Sequence, residues 1–481
     1  MAKSIKKNFL YNLAFQIVSI CLPIITAPYL ARVLGAEKVG ISAFTLSIVQ
    51  YFIMLANLGI STFGQREIAM YQDDRKKYSK IFWDLMAYRV AIGIISMLLY
   101  GIFVLFASQY QVIYAILFIN LLGNIFDITW LFQGLEEYKY LSIRNIIIKI
   151  LFTVLIFAFV KSPSDLNLYM FLNGFSILVS AAAVWMRVPE TIDKVNLKKT
   201  NPFKYSKDTF IFFLPQIATM VYTVLDRTML GIFDPSQIEN GYYEQAYKII
   251  AVATTAVTSI NLVMSPRIAF LYKKNNIAEI KMRARKSLRF VMLTSVPIAF
   301  GIMSVASNFV PWFFGDGYDK VAEILPFFSL IIIIIALSSC LNGQCLTPCG
   351  LRNKSAIALW FCAGLNMICN LILIPRLMSM GAVIGSIVAE TAITASFFYL
   401  SKKYVSVVAT FKDSAKYFIA AILMYFVVCF IKQFMPNTIL ATSIQAFIGA
   451  SLYGTTLIVL KDKLIFDYIK YYKAKIFKSK K

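Results

Sequence analysis

About fourteen apolar stretches of some 20 residues follow one another along this chain, and no other feature constrains its fold as much. A stretch of that length spans the hydrocarbon of a bilayer, where every backbone N–H and C=O must find its partner inside the segment, so helices are the form available. The stretches lie near residues 8 to 33, 40 to 63, 81 to 107, 111 to 133, 141 to 161, 166 to 187, 208 to 233, 241 to 265, 287 to 313, 320 to 343, 353 to 375, 381 to 401, 413 to 434 and 437 to 460. With 59% hydrophobic and 15% charged residues in 481, so much apolar surface cannot be hidden in a water-soluble core. The reading is an all-α polytopic membrane protein with about fourteen transmembrane helices.

Lysine and arginine set the orientation, because basic loops resist translocation. With the N-terminus inside, four clusters face the cytoplasm: Lys3, Lys6 and Lys7; Arg75, Lys76, Lys77 and Lys80; Lys198, Lys199, Lys204 and Lys207; and Lys273, Lys274, Lys281, Arg283, Arg285 and Lys286. The loops 108–111 and 233–240 hold no basic residue. Of the 48 lysines and arginines, about 38 fall inside, about 6 outside and about 4 within helices. Both termini are expected in the cytoplasm. The net charge of +24 follows from this alternation and calls for no nucleic acid. The basic tail from Lys461 to Lys481 is expected against anionic lipid headgroups. The first apolar stretch is too long for a cleaved signal and runs into Arg32, so it reads as a spanning helix.

Four short patterns recur in order about 200 residues apart. Leu22-Pro23-Ile24-Ile25 returns as Leu214-Pro215-Gln216-Ile217, Leu34-Gly35 as Leu230-Gly231, Gly40 as Gly241, and Arg66, Ala69 and Tyr71 as Arg267, Ala269 and Tyr272. Each is weak alone, but the offsets drift only from 192 to 201, which favours duplication of one membrane unit. Repeats that rock against each other are a common way to move a substrate across a bilayer.

Several chemistries are excluded or weakened. The helices leave short connections with no room for a soluble catalytic domain, and there is no G-x-x-x-x-G-K-[ST] phosphate loop. The chain has no histidine, so any proton coupling must use Asp or Glu. Seven cysteines, an odd number placed mostly in helices, indicate no disulfide framework, and Cys340, Cys345 and Cys349 read as apolar filler rather than metal ligands. No cofactor is implied and the chain is not read as an enzyme. A membrane polysaccharide polymerase is the enzymatic alternative, but Asp73-Asp74 and Asp316 with Asp319, the only acidic loop clusters, look like solvated charges.

Charges at depth are costly, about 2.5 to 3.5 kcal/mol each on insertion scales, so each should face a cavity, a partner or an interface. Lys149 and Asp84 are close enough to the cytoplasm to snorkel. Arg89 sits deeper, at a cavity position. Glu244 and Lys248 stand four apart in the order that favours an intrahelical pair. Asp226 and Arg227 are adjacent and about 100° apart, so one is expected to pair with the next helix while the other meets the cavity. Glu390 and Asp127 are candidates for ion coupling, with Asp226 and Glu244 beside them. Converging with Arg32, these cations would make a cavity suited to an anion, since guanidinium groups bind phosphate oxygens bidentately. Pro23, Pro28 and Pro215 are candidate hinges.

The residues Pro28-Tyr29-Leu30-Ala31-Arg32-Val33-Leu34-Gly35, Asn57-Leu58-Gly59 with Gly64-Gln65-Arg66-Glu67, and Trp130-Leu131-Phe132-Gln133-Gly134-Leu135-Glu136 carry a resemblance. Gly241-Tyr242-Tyr243, Asn370-Leu371-Ile372-Leu373-Ile374-Pro375 before Gly381-Ala382, and Glu390 extend it. Over nearly its whole length the chain resembles the Wzx-type flippases of lipid-linked oligosaccharides, in the polysaccharide transporter branch of the multidrug/oligosaccharidyl-lipid/polysaccharide superfamily. The resemblance implies two six-helix lobes about a central cavity, related by pseudo-twofold symmetry, plus two C-terminal helices. It divides the chain into 1–207, 208–412, 413–460 and a tail, 461–481. It also implies a polyprenyl-pyrophosphate-linked oligosaccharide moved to the outer leaflet by alternating access, for capsule, O-antigen or another surface polysaccharide. Arg32, Arg89, Arg227 and Lys248 are the expected substrate contacts. An ion, H+ or Na+, is the expected driver, and polysaccharide polymerase machinery an expected partner. The alternatives are a peptidoglycan lipid-precursor flippase and a multidrug or cation exporter of the same superfamily.

Overall fold

A computed structural model describes residues 5–193, 200–462 and 464–466. Lys3, Lys198, Lys199 and most of the basic tail lie outside these. Among the described residues all regular structure is helical, and the chain forms two compact units, Met1–Glu244 and Gln245–Lys481.

The first unit contains α1 (Ile5–Asn57), α2 (Ile60–Met70), α3 (Arg75–Phe106), α4 (Gln111–Ile125), α5 (Thr129–Gly134), α6 (Tyr138–Phe159), α7 (Leu166–Trp185), α8 (Val188–Thr191), α9 (Ser206–Phe233) and the start of α10 (Ile238–Thr258). The long α1 runs helically through Pro23 and Pro28 and breaks instead at Gly35, where φ is 78° and ψ 168°. Only glycine takes up that backbone without strain. Near Pro215, the segments Pro202–Ala218 and Thr223–Phe233 meet at 55°. Two apolar cores hold the unit together, one around Val49, Tyr100, Leu117 and Met170, the other around Ile60, Phe82, Trp130 and Phe132. The opposite faces leave Leu98, Leu105, Phe106, Ile147 and Leu151 exposed, as a lipid-facing surface requires.

The repeated glycines meet. A Cβ at Gly40 would collide with the carbonyl of Gln237 and stand 2.8 Å from the Gly241 nitrogen, and a Cβ at Gly241 would collide with the carbonyl of Ala36. Gln237 lies 201 positions beyond Ala36, and Gly241 lies 201 beyond Gly40. The contact is therefore reciprocal: each glycine lies against the residue four positions before the other.

The second unit continues with α11 (Ile260–Lys273), α12 (Ile277–Phe314), α13 (Asp319–Leu341), α14 (Arg352–Leu400), α15 (Val407–Lys432) and α16 (Ile439–Val459). Helix α14 breaks at Met378 (φ 50°, ψ −127°). Its arms then run antiparallel, with a Cβ at Gly381 crowding Leu373 and one at Gly385 crowding Asn370. A bidentate pair from Arg285 to Asp413, at 2.6 and 2.9 Å, ties α12 to α15. Asp462, buried after α16, is within 3.3 Å of Arg289.

Among the described residues ten helices are long and apolar enough to cross a membrane, or eleven if the bent pair at α9 is one span. The expectation of about fourteen differs for identifiable reasons. The stretch Ala14–Met70, 57 residues, and α14, 49 residues, each have more than twice the length that one crossing needs. Helix α10 carries Glu239, Glu244 and Lys248 and is too polar to qualify. The stretch expected at 241 to 265 is divided between α10 and α11, and the end of the stretch expected at 111 to 133 is the separate turn α5.

Candidate functional site

Two chambers with polar groups among their apolar linings lie inside the first unit. One, of about 350 Å³, is lined by Ser47 and Gln50 of α1, Asn120 and Asn124 of α4, Asn173 and Ile177 of α7, Arg227 of α9 and Glu244 of α10. Asn120 and Asn124 are one turn apart and share a face, where Asn124 Nδ2 donates to Asn120 Oδ1 at 2.9 Å. Arg227 donates from Nε to Glu244 Oε2 at 2.6 Å and from Nη1 to its own helix, at the Thr223 carbonyl, at 2.9 Å. Two charges thus cancel in the wall, and the remaining polar lining is amide and hydroxyl, set among Ala43, Leu46, Val49, Ile53, Ile177 and Val224. Such groups both donate and accept, as the hydroxyls of a sugar do.

Asp226 points away from Arg227, as adjacent helix positions must, and is buried. It accepts from the Tyr243 hydroxyl at 2.5 Å. Both members of the adjacent pair therefore bond to α10, and Arg227 also meets the chamber. Arg89 does not line this chamber. It is buried behind α4, where Nη2 donates to the Asn124 carbonyl at 2.6 Å and Nη1 to Ser61 Oγ at 3.2 Å. Its charge braces the wall from outside. Arg32 is exposed on α1 and lines neither chamber. Lys248, half-buried on α10, and Glu390, buried on the second arm of α14, both belong to the second unit. Of the expected substrate contacts in the first unit, Arg227 lines a chamber and Arg32 and Arg89 line neither of the two.

The other chamber, of about 460 Å³, lies between α1, α5, α6 and α7. Asp127 lines it at the break between α4 and α5, where its two carboxylate oxygens accept from Thr129 N and Oγ1, each at 3.0 Å. Arg144, Asn145 and Lys149 enter from α6, and Ser176 and Ser180 from α7. Ile177 lines both chambers.

The amides of the first chamber and Arg144 of the second escaped the sequence reading, which searched the spans for charges at depth. Asn120, Asn124 and Asn173 are uncharged, and Arg144 is near the start of α6, where a cation passes for an interfacial anchor. The four-residue spacing of Asn120 and Asn124 on an apolar helix was the available signal.

The family described as Polysaccharide biosynthesis protein matches residues 5–271, and the family described as Lipid II flippase MurJ matches residues 190–448. A protein of Escherichia coli (strain K12) named as an O-antigen transporter is 26% identical over 397 residues, covering 81% of this chain and 95% of that protein. The capsular polysaccharide biosynthesis protein CapF of Staphylococcus aureus is 23% identical over 411 residues, covering 82% of this chain and 99% of its own length. The solved structure of lipid II flippase MurJ in an inward closed conformation superposes with a TM-score of 0.75 at 14% identity, covering 95% of this chain and all of that one. At such low identity the likeness is one of fold.

Proposed function

The chain belongs to the polysaccharide biosynthesis protein family, and from that membership we propose that it is a flippase of lipid-linked oligosaccharides. It carries a polyprenyl-pyrophosphate-linked repeat unit from the cytoplasmic to the outer leaflet, with no covalent chemistry of its own. A glycan and a pyrophosphate cannot enter hydrocarbon unaided, because their polar groups would lose their hydrogen bonds, while the prenyl tail stays in lipid throughout. The observation that carries the reading is the chamber of about 350 Å³ lined by Gln50, Asn120, Asn124 and Asn173 within an otherwise apolar helical unit. Buried amides at membrane depth are kept for a purpose when they line a cavity. In this reading Arg227 orients the glycan or its phosphate, Arg89 positions α4, and alternating access moves the chamber between the two leaflets. Glu390 and Asp127 are the coupling groups we favour, and both termini are placed in the cytoplasm.

In a strain lacking its own flippase, Arg227→Gln should reach the membrane at normal levels yet lower surface polysaccharide about tenfold or more, the scale of one lost charge-assisted hydrogen bond. Undiminished export by that variant would remove Arg227 from the pathway. The match to the lipid II flippase family over residues 190–448 favours a second reading, translocation of a peptidoglycan precursor. Rescue of a strain lacking its essential precursor flippase would establish it.

A further inference from the structure

The second chamber differs from the first in its charge. Arg144 and Lys149 are cationic and Asp127 anionic, which leaves one net positive charge, whereas Arg227 and Glu244 cancel in the first. Arg144 is only 9% exposed. Its Nε and Nη2 converge on a single acceptor, Asn145 Oδ1, at 3.2 and 2.6 Å. Its Nη1 is buried with no hydrogen-bond partner. A charged donor left unmet in the interior is among the costliest arrangements a protein keeps. The guanidinium is held in place by Tyr140, whose ring centroid lies 5.9 Å away and whose hydroxyl donates to the Ala183 carbonyl at 2.7 Å. Lys149, which is exposed, donates to Ser19 Oγ of α1 at 3.0 Å. Asp127 is turned to Thr129, which takes up both of its oxygens. A fixed guanidinium with an open N–H, a second cation and the hydroxyl of Ser180 form a donor set that suits a tetrahedral oxyanion.

We propose that this chamber binds a phosphate oxyanion and that, during transport, it holds the diphosphate of the lipid-linked substrate while the glycan occupies the amide-lined chamber. The second clause rests on the flippase reading; the first does not. Because Ile177 lines both chambers, two parts of one headgroup can occupy them across a single side chain. The arrangement also separates two kinds of recognition. The invariant diphosphate is met by charge, and the variable sugars by neutral amides.

The test uses the full chain in nanodiscs of phosphatidylcholine, titrated with inorganic pyrophosphate and, separately, with a polyprenyl pyrophosphate. Arg144→Gln and Lys149→Gln should each weaken binding about ten- to a hundredfold, as loss of a charge-assisted contact does, and Arg144→Lys should recover part of it. Binding of the lipid alone assigns the site to a lipid-borne diphosphate, and binding of both probes shows that the oxyanion suffices. If Arg144→Gln fails to fold, the exposed Lys149→Gln carries the test. No binding by either probe, or equal binding by wild type and both variants, overturns the site. Arg144-dependent binding with full polysaccharide export by the same variants keeps the site and overturns its part in transport, leaving the flippase reading intact.

Discussion

Arg227 and Glu244 form a half-sequestered pair, with side chains 15% and 16% exposed and 2.6 Å between Nε and Oε2. Breaking such a pair from one side leaves the other charge poorly solvated, so the cost of either single change exceeds the worth of the contact. Arg227→Ala and Glu244→Ala should each lower the thermal midpoint in detergent, and the double variant should lower it by less than the sum. A coupling of about 1 to 3 kcal/mol is expected, and strict additivity would show that the contact contributes nothing. The sequence placed both residues at depth, offered Glu244 its helical neighbour Lys248, and expected one of Asp226 and Arg227 to pair with the next helix; in the structure both bond to it. Spacing along one helix reveals who is four residues away; it does not reveal which side chain a facing helix presents. Spacing likewise says nothing of the Asn124 carbonyl that the Arg89 guanidinium meets.

The breaks in α1 and α14 illustrate how far apolar periodicity reaches at the scale of an element. Paired stretches at 8 to 33 and 40 to 63, and at 353 to 375 and 381 to 401, were legible because polar or small residues interrupt the apolar runs. The sites of the breaks were not. Proline at 23 and 28 suggested hinges, yet α1 remains helical at both and turns at Gly35. The missing proline N–H costs one hydrogen bond, which a helix can absorb by bending, whereas a φ of 78° takes the backbone out of the helix altogether. In α14 the corresponding position is Met378, at φ 50° and ψ −127°, a conformation that a side chain disfavours. Met378→Gly should therefore raise the stability of the chain by about 1 kcal/mol, seen as a higher midpoint in detergent. A lower midpoint would mean that packing of the Met378 side chain outweighs its backbone strain.

At the scale of the molecule, the orderly recurrence of short patterns led to the expectation of a twofold relation, and Gly40 and Gly241, one of the recurring pairs, meet reciprocally. What the patterns withheld was that these two glycines touch, since a repeat in sequence says nothing about whether its copies meet in space. With no room for a Cβ on either side, Gly40→Ala and Gly241→Ala should destabilise the chain by similar amounts, about 1 to 3 kcal/mol, in the same midpoint assay. Sharply unequal costs would argue against a symmetric contact. The reciprocity also makes the two positions equally exacting: a side chain at either glycine is driven into the backbone opposite it, so neither position can make room for a change at the other.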